Sequence, residues 1–236
     1  MIQVFLSVLL VRIITVHILH TMNFYKLDRP LRYLLVIAHP DDESMFFGPF
    51  LTKILANKGS ISIVVCTSGD KGGDKEVRSK EMERLCASHK VPLFMLEYPD
   101  SELAVTSKLL SSLEEIYRKT QSTALVTFDA SGVSRHCDHI TCCELGDALA
   151  KKVNTQHLYN LVSLTLIEKY IFPLLAVFRL GSSPDTDILI TSSATESIKN
   201  RKRMRYHTSQ LLWYRYLYII FSCYMDFIIL RKKIHK

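Results

Sequence analysis

The chain has 236 residues, 48% of them hydrophobic, and carries a formal net charge of +7 at pH 7. That length suits one substantial α/β domain with membrane-contacting ends and leaves little room for two independent cores. The basic excess gathers at residues 199–205 and 231–236, around an apolar stretch, and no zinc-finger, RRM or basic-zipper pattern accompanies it, so anionic lipid is favoured and nucleic acid is set aside as a partner.

In chain order, residues 1–20 are apolar apart from a few polar positions and Arg12, and their length is close to the ~20 residues that cross a bilayer. No basic region precedes the run and no small-residue cleavage site follows it. An uncleaved anchor is therefore expected, with Lys26, Arg29 and Arg32 keeping the rest of the chain in the cytosol. From residue 31 the pattern alternates. Strands are expected at 33–38, 61–66, 93–96, 124–128 and 188–191, and helices at 44–58, 76–90, 107–119 and 139–153; Leu109, Leu113 and Ile116, for instance, share one helical face. Such alternation predicts a mostly parallel sheet covered by helices on both sides, with ligands bound beyond the carboxyl ends of its strands. Residues 211–230 (LLWYRYLYIIFSCYMDFIIL) are apolar, rich in tyrosine and followed by a basic tail. They are read as an interfacial helix or second span, a core helix being the plainer alternative. The six cysteines form no CxxC pair and read as reduced thiols of a cytosol-facing protein.

Two strand ends carry the chemistry. The first strand runs into His39-Pro40-Asp41-Asp42-Glu43, where adjacent carboxylates would repel one another unless something cationic sat among them. A short loop can bring His39 and Asp42 to one metal ion while Asp41, close but unbound, takes a proton from a water on that ion. The alternative is that His39 packs on the sheet and the acids cap the following helix. The fourth strand runs into a loop ending in His136-Cys137-Asp138-His139. Residues three apart on a helical turn share a face, so one imidazole can complete a His/Asp/His site of the catalytic-zinc kind while the other faces the same cavity. Cys137 and Asp138 are expected to point away, and Asp129 to orient a histidine through its ring N–H.

The segments AHPDDE (38–43), TFDASGVSRHCDH (127–139) and SQLLWYRYLYIIFSCYM (209–225) resemble the N-acetylglucosaminylphosphatidylinositol de-N-acetylases, the PIG-L branch of the LmbE-like deacetylases. The resemblance extends from about residue 31 to 230. It implies a Rossmann-like, three-layer α/β fold: an anchor over 1–20, a catalytic domain over 31–205, and a hydrophobic aromatic segment with a basic tail over 206–236. It also implies a zinc-dependent amidohydrolase on the cytoplasmic face of the endoplasmic reticulum membrane, acting on a glycolipid, N-acetylglucosaminyl-phosphatidylinositol. Carried over by position, His39, Asp42 and His139 would bind the metal, Asp41 would be the general base, and His136 would steady the oxyanion or protonate the leaving amine. Arg78 and Asp100 would lie near the substrate, an exposed, paired Arg78 being the alternative. A deacetylase of a soluble amino-sugar conjugate and a catalytically silent scaffold are the competing functions.

Overall fold

The computed structural model describes residues 14–15, 31–180 and 187–233. Seven strands among them form one sheet in the order β3-β2-β1-β4-β5-β7-β6: β1 (Arg32–Ile37), β2 (Ser60–Thr67), β3 (Leu93–Tyr98), β4 (Ala124–Phe128), β5 (Leu158–Leu161), β6 (Asp187–Thr191) and β7 (Phe227–Lys233). The first five are parallel, and β7 runs antiparallel to both β5 and β6. The sheet is mixed but mostly parallel, as the alternating pattern predicts. The central β1 reads as an unbroken apolar run because both its faces are covered: Tyr33 to Ile37 are all buried.

Helices α1 (Asp42–Met45), α2 (Gly48–Ala56), α3 (Lys75–His89), α4 (Ser107–Lys119), α5 (Cys137–Lys152), α6 (Leu166–Tyr170), α7 (Pro173–Leu180), α8 (Ala194–Arg203) and α9 (Trp213–Phe221) complete the architecture. The single helix expected at 44–58 is two, because Pro49 occupies the first turn of α2 and forces a fresh start there. α5 lies close on β4: a methyl group added at Gly146 would meet Thr127 Cγ2 at 2.8 Å. That approach fixes the depth of the helix whose first turn carries the histidines.

The expected anchor at 1–20 falls, except for Ile14 and Thr15, outside the described residues. No helix among the described residues is long and apolar enough to cross a membrane. The apolar run 211–230, expected as one element, is divided into α9, a 3₁₀ turn at Cys223–Met225 and β7. Its continuous run of buried chains from Phe227 to Leu230, with ladder partners on either side, suits a strand, and β7 fills the gap between β5 and β6. Only α9 keeps the exposed aromatic face that an interfacial helix requires: Trp213, Tyr214, Tyr216, Leu217 and Ile220 all face outward.

The crossovers from β1 lead through β2 to β3 on one side, and those from β4 lead to β5 on the other. Chain direction across the sheet therefore reverses between β1 and β4, and a crevice opens beyond their carboxyl ends. Both sequence motifs emerge there.

Candidate active site

The loop after β1 is held by backbone rather than by bulk. Asp42 Oδ2 accepts the N–H groups of Ala38 and His39 at 3.1 and 2.8 Å, and Arg78 donates to the carbonyls of Pro40 and Gly69, both at 2.6 Å. These bonds hold Asp41 at φ 119°, a left-handed conformation that costs a side-chain-bearing residue about 1–3 kcal/mol. The strained turn sends neighbouring carboxylates in different directions, as the sequence requires if they are to do different work.

Asp42 turns inward. Its Oδ1 lies 3.3 Å from His139 Nε2 and its Oδ2 3.6 Å from His39 Nδ1. Burial opposes its ionisation, but His139 and His39 outweigh that and hold its carboxyl well below the ordinary range. His139 rises from the first turn of α5, stacks on Phe128 at 4.0 Å between ring centroids, and bonds through Nδ1 to the Gly132 carbonyl at 3.1 Å. Gly132 adopts φ +55°, and an added Cβ would approach His139 Cβ to 3.1 Å. A glycine thus gives the loop the close turn that puts its carbonyl on the imidazole. His136 caps the same helix, its Nδ1 accepting the Asp138 N–H at 3.3 Å, which leaves Nε2 to carry the proton in the neutral ring. Burial, with the nearby His39 and His139, lowers its pKa.

His39, His136 and His139 each offer a ring nitrogen within 4.8 Å of the others. His139 Nε2 is buried and has no hydrogen-bond partner. Around His39 the charge is crowded: Nε2 lies 3.2 Å from Asp100 Oδ1 and 3.1 Å from Asp138 Oδ2. Burial alone would lower the pKa of His39, but Asp100, Asp138 and Asp42 reverse that and push it up to about 12. An unmet imidazole nitrogen beside surplus negative charge fits a divalent cation, and the nitrogen and oxygen donors suit zinc.

Asp41 points elsewhere. It is 2% exposed, and its Oδ2 accepts no hydrogen bond. Arg215 Nη2 stands 3.3 Å from Oδ2 and Arg78 Nη2 3.5 Å from Oδ1. Burial raises its pKa against the pull of Arg215 and then Arg78, making it a stronger base than an exposed carboxylate. His39, Asp41, Asp42, Arg78, Asp100, His136, His139 and Arg215, with Tyr170, Tyr214 and Tyr218, line a cavity of about 660 Å³.

The structure therefore brings together His39, Asp42, His136 and His139, with Asp41, Arg78 and Asp100 on the same cavity wall. Arg78 is 3% exposed, so the exposed, surface-paired alternative fails. Two expectations are corrected. Asp129 touches no histidine: its carboxylate accepts from Ser131 N, Ser163 N and Ser163 Oγ, because it closes its own loop, and the Gly132 carbonyl takes the place beside His139. Asp138 does not point away. It is fully buried against the loop after β3, accepting from Ser101 N at 2.6 Å and meeting His39.

Sequence reasoning missed the contribution of the C-terminal segment. His207 Nε2 meets Glu43 Oε1 at 2.7 Å, both residues fully buried, and Glu81 takes three hydrogen bonds from Thr208 and Ser209. These contacts set α9 over the cavity so that Arg215 reaches Asp41 and Tyr218 donates to the Met45 carbonyl at 2.8 Å. The available signal was a lone arginine in an aromatic run.

The comparisons with known proteins point one way. The family model described as PIG-L, GlcNAc-PI de-N-acetylase, matches residues 34–150. A probable N-acetylglucosaminyl-phosphatidylinositol de-N-acetylase of Schizosaccharomyces pombe is 30% identical over 214 residues, covering 84% of this chain and 86% of its own. The N-acetylglucosaminyl-phosphatidylinositol de-N-acetylase of Bos taurus is 30% identical over 209 residues, covering 82% and 80%. Among solved structures, the N,N'-diacetylchitobiose deacetylase of Pyrococcus horikoshii shares the fold with a TM-score of 0.62 at 18% identity, over 88% of each chain.

Proposed function

The chain belongs to the PIG-L family of GlcNAc-PI de-N-acetylases, and from that premise we propose that it hydrolyses the N-acetyl group of N-acetylglucosaminyl-phosphatidylinositol in GPI-anchor biosynthesis. The products are glucosaminyl-phosphatidylinositol and acetate. The observation that carries the reading is a division of labour between neighbours: Asp42 faces His39 and His139, while Asp41, one residue away, faces the cavity with an oxygen that accepts no hydrogen bond.

His39, Asp42 and His139 would hold a divalent cation, with Zn²⁺ the best match to the donors. When bound, that cation supplies Lewis acidity towards the amide carbonyl and acidifies water. The remaining work falls to side chains. Asp41 Oδ2 takes a proton from the attacking water, and its buried, elevated pKa suits that task. The N–H at His136 Nε2 donates to the carbonyl oxygen as it gains charge, and the same imidazole lies where a proton can pass to the departing amine. Arg78 and Arg215 hold Asp41 in register, Arg78 by pairing with Oδ1 at 3.5 Å and Arg215 by pairing with Oδ2 at 3.3 Å. Asp100, its pKa held down to about 2 chiefly by His39 against the cost of burial, supports the His39 ring and borders the sugar-sized space.

Work at a bilayer surface accords with the exterior around the cavity mouth. Leu166, Ile167, Phe172 and Leu175 on and between α6 and α7, and Trp213, Tyr216 and Leu217 on α9, are large, apolar and exposed. Aromatic and aliphatic side chains of this kind suit the headgroup boundary. A role in GPI-anchor biosynthesis supports the endoplasmic reticulum membrane as the proposed location, with the cytoplasmic face as the side proposed for catalysis.

The test is deacetylation of N-acetylglucosaminyl-phosphatidylinositol by purified protein, chelated and then restored with Zn²⁺. Turnover that disappears on chelation and returns with metal is the expected result. Full turnover in the chelated protein would remove the metal from the reaction, and no turnover in either state would remove the substrate assignment.

A further inference from the structure

Four lysine and arginine side chains line the cavity: Lys71, Arg78, Lys169 and Arg215. Three have acids. Lys71 pairs with Glu102, and Arg78 and Arg215 flank Asp41. Lys169 does not. The one acid on its own helix, Glu168, is turned to the capping box with Thr165 at the start of α6, and among the described residues no carboxylate or hydrogen-bond acceptor meets the Lys169 ammonium. The ammonium lies instead over the face of the Tyr170 ring, 4.9 Å from Nζ to the centroid.

Lys169 is nevertheless only 7% exposed. Burying an ammonium without a counter-charge is costly, and a position that needed only to fill space would be served by Leu or Met at lower cost. The desolvation is real enough to lower the lysine's pKa. An anion that visits the cavity would supply what the fold withholds. The surroundings narrow the choice of anion. Immediately outside this buried charge, the same helix exposes Leu166 and Ile167, and α9, which brings Arg215 and Tyr214 to the cavity, exposes Trp213, Tyr216 and Leu217. A positive charge set just inside an apolar rim matches a ligand whose anionic group joins a polar head to hydrocarbon.

We infer that Lys169 is the cation of a phosphodiester subsite at the mouth of the cavity, binding the phosphate that links the inositol of the substrate to its lipid. The inference rests on the substrate proposed above and adds to it the residue that reads the phosphate. Lys169 is a specificity determinant rather than a catalytic residue: it stands apart from the acetamido group and acts on affinity.

Lys169→Met keeps the length and removes the charge; Lys169→Arg keeps the charge. Steady-state kinetics would compare N-acetylglucosaminyl-phosphatidylinositol with N-acetylglucosaminyl-inositol, which lacks the phosphate. Lys169→Met should raise KM for the first by about 10- to 100-fold, the worth of a charge-assisted contact, with kcat unchanged, leave the second untouched, and be rescued in large part by Lys169→Arg. Equal losses on both substrates, or no loss on either, would overturn the subsite. Calorimetric titration with glycerophosphoinositol, myo-inositol and inorganic phosphate supplies a readout independent of turnover. Glycerophosphoinositol should bind the wild type at least about tenfold more tightly than the Met variant, and myo-inositol should not distinguish them. Inorganic phosphate binding as tightly as the diester would refute a subsite built for a headgroup. Wild-type protein that turns over neither substrate yet shows this binding difference would refute the deacetylase reading and leave the subsite standing.

Discussion

The cavity has two walls of different character. One is made by the loops after β1 and β4, where the sheet itself sets His39, Asp42, His136 and His139, and backbone groups at Ala38, His39 and Gly132 fix their orientation. The other is made by residues 207–218, which lie far along the chain and are held by side-chain contacts, Glu43 of the first wall with His207 and Glu81 of α3 with Thr208 and Ser209. The first wall carries the donors that suit a metal ion; the second governs Asp41 and covers the cleft. A site on a sheet edge can be specified by a few consecutive letters, whereas a wall docked from a distance depends on partners that no short motif contains.

The sharpest separation of the two walls would come from removing a donor. Asp42→Asn should abolish Zn²⁺ retention, measured by metal analysis of dialysed protein, and reduce turnover to background. Asp138→Asn, by contrast, should retain the ion while loosening the His39 ring. Retention in Asp42→Asn with loss in Asp138→Asn would transfer the metal to the alternative cluster of His39, Asp100 and Asp138.

Asp41 stands between the walls and comes next. Asp41→Asn should keep metal and fold and lose ~10²- to 10⁴-fold in kcat, as expected for a general base. Wild-type turnover in that variant would assign the proton transfer elsewhere.

These first two expectations rest on features legible in the sequence. The strand-end positions, the meeting of His39 and Asp42 with one of the two later histidines, and the separate direction of Asp41 follow from unbroken apolar runs stopping at charged residues, and local letters carry that signal; the choice of His139 over His136 came from the family resemblance. Asp129 and Asp138 did not follow, because their partners come from loops whose conformation the local letters do not give: Ser163 takes Asp129, and Ser101 after β3 takes Asp138. The apolar run at 211–230 misled for another reason. Hydropathy averages over a window, so β7, buried in a sheet, and α9, exposed at the rim, read as one greasy segment. β5 went unexpected because four residues leave too little periodicity to count.

The second wall makes its own predictions, with smaller effects. Breaking the Glu43–His207 pair by His207→Ala leaves a buried carboxylate unpaired and should cost ~3–5 kcal/mol of stability in chemical denaturation. Its pH dependence has a definite sign. Burial opposes the charge on His207, but Glu43 raises its pKa above the ordinary 6.5, while His207 holds Glu43 below the ordinary 4.5. The histidine's contribution is complete below 6.5 and is lost as pH rises through its folded value; the glutamate's is complete above 4.5 and is lost as pH falls through its own. The stability gap between wild type and His207→Gln should therefore be widest between those two values and narrow on the alkaline side. A gap independent of pH would mean that the pair is not ionised.

Smallest is Arg215→Met, with an expected loss of about 10- to 100-fold in activity. Removing the guanidinium that most strongly lowers the pKa of Asp41 leaves that carboxyl protonated to higher pH, so the acidic limb of the rate profile should move upward. An unmoved limb with reduced kcat would confine Arg215 to covering the cleft.

The position of β7 bears on how the molecule is made. The ribosome delivers β6 before its one sheet neighbour among the described residues exists, since β7 separates it from β5. Until residues 227–233 emerge, both β5 and β6 present open ladders of unsatisfied amides, and Tyr224, whose hydroxyl bonds Leu164 N and Val162 O, has no base on which to settle. A premature stop that spared every proposed catalytic residue would still yield a sticky, unfinished sheet rather than a slow enzyme.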